Sequence, residues 1–286
     1  MLIGAIEAGG TKFVCAVGYQ NGDIVEKITI PTREPNVTLP EADRFFSSFK
    51  ISKMGIGSFG PVHVDRKSTR YGEILETPKQ SWRGVNMVRH FTNSQDVPVH
   101  LDTDVNASAL GEYVWGAGKG KDSCLYITVG TGIGAGFVKD GLSLNGRLHP
   151  EMGHIPVERH EEDSFEGCCP YHGNCLEGLA SGTAIRERYG REGKHLSDSN
   201  EVWEMEAFYL AQAVASYLYV LCPDIVIIGG GVPKQKTLLP LVRKKAAERI
   251  NGYVNPGDFK EWIVSPALND EQGIKGAMAL AIEGKR

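Results

Sequence analysis

The strongest constraint on the fold is a unit that occurs twice. Strand-like Leu2–Ile6 runs into Gly9-Gly10-Thr11-Lys12, a second strand-like run follows over Phe13–Tyr19, and Asn21-Gly22 supplies a hairpin turn. The same order returns as Cys124–Val129, Gly130-Thr131-Gly132-Ile133-Gly134, Gly136–Lys139 and an Asp140-Gly141 turn. Thr131 stands where Thr11 stood. Agreement of loop, threonine and turn predicts an internal duplication, with one hairpin unit leading each half. The length of 286 residues, at roughly 150 residues per domain, agrees with two domains.

The intervening pattern alternates. Residues Pro40–Lys50 read as a helix, Lys53–Gly57 and Val97–Asp102 as strands, and Asn106–Trp115 as a helix of small residues. The second half offers a helix over Val202–Leu221, a buried strand over Ile225–Ile228, an amphipathic helix over Lys236–Ile250 and a last helix over Gly273–Ile282. Hairpins followed by alternating strands and helices predict α/β domains, each a mixed sheet covered by helices. The two halves are expected to meet at a hinge near Gly116–Gly120.

Charge and hydropathy remove several function classes. Lys+Arg 31 against Asp+Glu 35 gives a net charge of −4, with no basic excess for a nucleic-acid backbone. The N-terminus lacks a basic region and Glu7 interrupts its apolar run, so no signal peptide is expected. The apolar stretch Ala207–Cys222 contains Gln212 and Ser216 and stops at Pro223. It falls short of the ~20 residues that span a bilayer and reads as a core helix. Cys15, Cys124 and Cys222 lie singly in apolar contexts, as buried thiols do. A reduced, cytoplasmic protein is expected.

Glycine is in excess, 35 residues of 286 against a typical ~7%, and part of the excess sits where chemistry is expected. In Gly9-Gly10-Thr11 and Gly130-Thr131-Gly132, backbone N–H groups without side-chain bulk can converge on an anion, with a threonine hydroxyl beside them. Neither is a Walker loop or a Rossmann fingerprint, because a strand follows and not a helix. Either alone could be a tight hairpin; as a pair they suit the phosphates of a nucleoside triphosphate. Strand Ile225–Ile228 runs into Gly229-Gly230-Gly231, which lets a flat ligand approach the backbone. Asp104 follows a strand at a helix start, where a carboxylate either caps the helix or accepts a proton from an attacking hydroxyl.

Cys169-Pro-Tyr-His172-Gly-Asn-Cys175 is the sharpest local signal, with His154 fourteen intervening residues upstream. Two thiolates and two imidazoles suit a closed structural Zn²⁺ site; a disulfide or an unligated Cys-rich loop is the alternative. Cys168 is a spare next to Cys169. Glu151 and Glu177 bracket the cluster as carboxylates for a polyhydroxylated ligand, whereas Glu158–Glu166 reads as a solvated charged loop.

Taken together, these stretches resemble the ROK family of sugar kinases and repressors, over essentially the whole chain and most closely its fructokinases. The carriers are Glu7–Lys12, Gly57-Ser-Phe-Gly-Pro61, Asp104-Val-Asn106 with Gly111-Glu112, and Gly130–Gly134. His149–His154, Cys169–Gly182 and Gly229–Pro233 complete them. The resemblance implies two actin-like ATPase (ribonuclease H-like) domains around a cleft, with a zinc-stabilised loop. The expected boundaries are 1–117, completed by the C-terminal helix 273–286, and 118–272.

The resemblance also assigns roles. ATP with Mg²⁺ would lie on Gly9, Gly10, Thr11, Lys12, Thr131 and Gly132, with adenosine near Gly229, Gly230 and Gly231. Asp104 would be the base, and Gly60, Asn86, Asn106, Glu151, His154 and Glu177 would hold the sugar. Zn²⁺ would bind His154, Cys169, His172 and Cys175. The expected activity is phosphorylation of D-fructose to fructose 6-phosphate in a homodimer, with a broader glucose or mannose kinase as the alternative. A non-catalytic sugar sensor is the other class; a repressor would carry a DNA-binding module ahead of a hairpin that here begins within ten residues of Met1. Three departures from the family stand out. Glu7 replaces a common Asp, Thr103 replaces a usual Asn, and His172 replaces one thiolate of the glucokinase-type zinc segment.

Overall fold

The computed structural model describes residues 1–283. Among them the chain forms two mixed α/β sheets whose strand orders repeat. The first sheet runs β3 (Ile24–Pro31), β2 (Lys12–Gly18), β1 (Leu2–Ala8), β4 (Ile51–Ser58), β5 (Val99–Thr103). Its β1–β2 and β2–β3 pairs are antiparallel, and β1–β4 and β4–β5 are parallel. The second runs β8 (Leu142–Ser143), β7 (Ile133–Lys139), β6 (Ser123–Val129), β9 (Val226–Gly229), β10 (Ile263–Val264). Each sheet thus starts in its third position, turns outward through two strands, then adds two on the other side. That topology is the physical form of the repeat in the sequence. Asp140 and Gly141 both have positive φ, 52° and 77°, which is what a tight two-residue hairpin turn demands.

Two compact units divide the described residues: Met1–Gly120 with Val138–Pro150 and the segment from Leu268 onward, and Lys121–Phe137 with Glu151–Ala267. The sequence expectation kept 138–150 in the second domain, whereas this division counts that segment with the first. It also counts residues 268–272 there, just ahead of the final helix. That helix, α9, covers Gln272–Glu283; positions 284–286 of the expected 273–286 element lie outside the described residues.

In the first unit one face of the sheet is filled by Phe13, Phe59 and Trp82, whose rings lie 5.3 and 5.7 Å from one another across Trp82. Helix α1 (Pro35–Phe46) closes this face with buried Leu39, Ala42 and Phe46. It begins five residues before the expected start, because Pro35 enters in the first turn where no N–H is needed, and Pro40 is tolerated inside. Helix α2 (Met87–Gln95) was not anticipated. The other face carries α9, which sets Ile274, Ala277, Met278 and Ala281 against Ile3, Ala5, Val14 and Ala16. Each large side chain so buried contributes about 1.5–3 kcal/mol. Helix α3 (Asp104–Trp115) lies against α9 at a glycine contact: a side chain on Gly276 would collide with the Ala107 carbonyl.

The second unit is built around α6 (Asn200–Leu221), whose Trp203, Tyr209, Leu210, Val214 and Leu218 pack with Leu125, Ile127, Val226 and Ile228 of the sheet. No helix among the described residues is long and apolar enough to cross a membrane. Helices α4 (Leu176–Ala180) and α5 (Gly182–Tyr189) follow the cysteine cluster, and α7 (Leu238–Ile250) and α8 (Phe259–Trp262) complete the unit.

Candidate active site

The first hairpin loop is held from one side. Gly9 N–H donates to the Lys12 carbonyl at 2.9 Å, Thr32 Oγ1 donates to the Gly9 carbonyl at 2.7 Å, and Thr32 N–H donates to the Thr11 carbonyl at 2.9 Å. Gly10, Thr11 and Lys12 are exposed. Glu7 stands at the base of the loop, where burial pushes its carboxyl pKa up and Lys12 and Lys27 pull the other way.

Asp104 is the first residue of α3, half-buried, with Val105 N–H donating to its Oδ1 at 2.9 Å. Capping falls to Thr103, whose Oγ1 accepts from Asn106 N–H at 3.2 Å. The cap and the candidate base are therefore different residues. Behind them Asp102 is buried; its Oδ1 accepts from Thr103 N–H (2.8 Å) and Asn106 Nδ2 (2.9 Å), and its Oδ2 from Asn145 Nδ2 (3.4 Å). His149 Nδ1 lies 3.5 Å from Thr103 Oγ1. Asn106 has no exposed surface, and its Oδ1 has no hydrogen-bond partner among the described residues. Asn86 caps α2: its Oδ1 accepts from Arg89 N–H (2.8 Å) and its Nδ2 donates to the Tyr71 carbonyl (2.9 Å). Gly60 is exposed, ahead of Pro61.

In the second unit, the turn between β6 and β7 places Gly130 and Thr131 in the lining of a cavity of about 640 Å³, a size suited to a small-molecule ligand. The start of α5 grips the loop: Gly182 N–H donates to the Gly130 carbonyl (2.7 Å) and Thr183 Oγ1 to the Thr131 carbonyl (2.8 Å). A trans peptide points each N–H opposite its carbonyl. With both carbonyls turned to α5, the N–H groups of Thr131 and Gly132 face away from it together, an arrangement that receives anions. Gly130 leaves open space, while a side chain on Gly132 would collide with the Glu177 carboxylate.

Of the three glycines after β9, Gly231 lines the cavity. Gly229 and Gly230 are small for packing: a Cβ on Gly229 would lie 2.5 Å from the Tyr126 hydroxyl, and one on Gly230 would strike the Val129 carbonyl. Arg186, Ser197, Trp203, Lys234 and Gln235 line the rest. None was singled out from the sequence, because they come from separate loops with no shared motif. Ser181, which caps α5 through Ala184 N–H, was the available signal for the Gly182-Thr183 grip.

The four expected ligands do converge. Ligand atoms of His154, Cys169, His172 and Cys175 lie within 4.8 Å of one another. Cys169 Sγ is 3.7 Å from His154 Nδ1 and 3.6 Å from His172 Nδ1, and Cys175 Sγ is 3.5 Å from His154 Nδ1. A zinc tetrahedron with Zn–S ~2.3 Å and Zn–N ~2.0–2.1 Å has S···N edges of about 3.5 Å, so the donor set fits. Cys168 Sγ instead faces Ser181 Oγ at 3.8 Å. Burial pushes the Cys175 thiol up to about 11 in the absence of a cation.

Glu177, two residues beyond Cys175, accepts the Ile133 N–H on Oε2 at 2.9 Å and holds Oε1 3.9 Å from His154 Nε2. Glu151 is exposed, and its carbonyl accepts from His154 N–H at 3.0 Å. The loop 158–166 is not simply solvated. Asp163 is buried; Arg188 (2.9 Å) and Tyr209 (2.5 Å) both donate to it. Burial pushes its carboxyl up, but bonds from Tyr209, Arg188 and Phe165 outweigh this and lower it. Charge patterning misled there because a paired acid and a solvated one look alike in sequence.

The ROK family pattern matches residues 3–284. A putative fructokinase of Bacillus subtilis (strain 168) is 48% identical over 284 residues, covering 98% of this chain and 95% of its own. A fructokinase of Pediococcus pentosaceus is 41% identical over 281 residues, 98% of each chain. The ROK hexokinase of Thermus thermophilus shares the fold, with a TM-score of 0.83 at 24% identity over 99% of this chain and 98% of that one. Family pattern, near-full-length relatives and fold all agree: the chain belongs to the ROK family.

Proposed function

We propose that this protein is an ATP-dependent hexose kinase that converts D-fructose to fructose 6-phosphate. The observation that carries the reading is the second glycine loop, whose Gly130 and Thr131 line a nucleotide-sized cavity, in a chain 41–48% identical to named fructokinases. MgATP is the co-substrate. Its phosphates are assigned to Gly9, Gly10, Thr11 and Lys12 on one hairpin and to Thr131 and Gly132 on the other, and its nucleoside to the cavity beside Gly231. Magnesium offsets charge on the transferring group.

In this reading the Asp104 carboxylate takes the proton of the sugar hydroxyl as its oxygen attacks the γ-phosphorus. The Val105 N–H on Oδ1 holds the carboxylate at the start of α3. Glu151, His154 and Glu177 supply acceptors and a donor for sugar hydroxyls, and Gly60 keeps the wall low. Asn86, with both amide ends engaged, and Asn106, without exposed surface, support the pocket from behind. His154, Cys169, His172 and Cys175 would hold a structural Zn²⁺, leaving His154 Nε2 for the sugar because Nδ1 faces the thiols. The two units are read as the actin-like domains of the family, in a cytoplasmic homodimer.

An ATP-consumption assay across fructose, glucose, mannose and N-acetylmannosamine tests the reading. The expected result is a kcat/KM for fructose at least about tenfold above the others, roughly 1.4 kcal/mol of discrimination. Equal or better turnover of glucose would make the chain a broader hexose kinase. No consumption with any sugar would remove the activity.

A further inference from the structure

We propose that Glu177 is a positioning residue that makes sugar binding and nucleotide binding a single coupled event. The inference deepens the kinase reading and rests on it. One carboxylate oxygen, Oε2, takes the Ile133 N–H at 2.9 Å, the next backbone donor after the phosphate-facing pair. The other, Oε1, lies 3.9 Å from His154 Nε2 on a quarter-exposed edge where both side chains reach solvent. A single side chain therefore touches the nucleotide loop with one atom and the sugar subsite with the other.

Packing keeps the carboxylate within reach of both partners. Gly132 leaves the room that the carboxylate occupies. The helix carrying Glu177 buries Leu176, Leu179 and Ala180, and it starts from Cys175 of the metal-binding cluster. The loop is further pinned by Gly182 and Thr183. A sugar hydroxyl drawing on Oε1 orders the carboxylate, and the carboxylate orders the loop that receives phosphate. Phosphate on the loop orders the carboxylate for the sugar. Such linkage is reciprocal by thermodynamic necessity.

The test is calorimetric titration of the full, zinc-loaded chain with a non-hydrolysable ATP analogue, with and without saturating fructose. Wild type is expected to bind the analogue at least about fivefold tighter with fructose present, and fructose by the same factor with the analogue present. Glu177→Asp keeps the charge but is one methylene too short to span both partners. Its coupling factor is expected to fall below about twofold, with fructose bound more weakly and the analogue alone bound as in wild type. A side chain that merely stabilised the fold would shift melting temperature and leave the coupling factor intact. Independent binding in wild type, or wild-type coupling in Glu177→Asp, overturns the proposal and leaves the kinase reading standing. Should Glu177→Asp not fold, Glu177→Gln is read by the same coupling factor. Failure of wild type to bind either ligand would overturn both readings.

Discussion

Asn106 Nδ2 donates to Asp102 Oδ1 at 2.9 Å, from a position with no exposed surface, just beneath the residue assigned as base. Asp102 also accepts from Thr103 N–H and from Asn145 Nδ2, so one buried carboxylate ties the start of α3 to the segment after β8. Asp102→Asn exchanges an acceptor for a donor against these donors. The expected cost is about 1–3 kcal/mol of stability, read as a lowered denaturant midpoint with unchanged slope.

Gly132 and Gly130 separate two uses of glycine. Gly132→Ala drives a methyl group into the Glu177 carboxylate, whereas Gly130→Ala adds one to open space. The first is expected to cost about 1–3 kcal/mol and the second under about 1 kcal/mol. Chemical denaturation of the two variants decides it; equal costs would remove the Glu177–Gly132 contact as a constraint.

If the Cys/His cluster clips α4 in place, metal removal is expected to reach the nucleotide loop through Glu177. Metal analysis is expected to find about one zinc per chain. Chelation is expected to lower the melting temperature by roughly 5–10 °C, since a ligand bound only to the folded state stabilises by mass action. It is also expected to weaken binding of the ATP analogue. A metal-free protein with unchanged melting and nucleotide affinity would show that the Cys/His cluster is not a clip.

Glu206 is an acid in the wrong solvent. It is buried in α6, neither carboxylate oxygen has a hydrogen-bond partner among the described residues, and burial pushes its pKa well up. The folded state therefore holds a proton that the unfolded state releases once pH passes the ordinary carboxylate range. Stability from this group is complete below that range and falls as pH rises toward the folded pKa. Glu206→Gln is expected to raise the melting temperature at pH 7, by about 2–4 °C per kcal/mol recovered, and to give no advantage below about pH 4. Melting curves over that range check the sign.

The sequence was most legible where local chemistry and global fold agree. Gly-Thr loops, their Asn21-Gly22 and Asp140-Gly141 turns, and the His/Cys spacing all carry their geometry in short windows, and the strand orders and the converging ligands follow them. Legibility failed where partners are distant. β3 (Ile24–Pro31) was missed because its alternation is broken: Val25, Glu26 and Lys27 are all exposed and only Ile30 is buried. Gly229 and Gly230, expected beside the adenosine, also make room for Tyr126 and Val129, a packing role that no short window announces. Glu177 looked like a sugar ligand alone, because nothing near it in sequence announces its bond to Ile133. Asp163 looked solvated because Arg188 and Tyr209 lie 25 and 46 positions away.

The central claim is that Asp104 removes the proton of the attacking hydroxyl, and Asp104→Asn tests it most directly. The amide keeps the size and the Val105 N–H contact but cannot take a proton. Turnover of fructose with ATP, measured beside calorimetric affinities for both ligands, is expected to show kcat lowered by at least about 10²–10⁴-fold, with both affinities within a few fold of wild type. An Asp104→Asn enzyme that turns over at the wild-type rate would contradict the account.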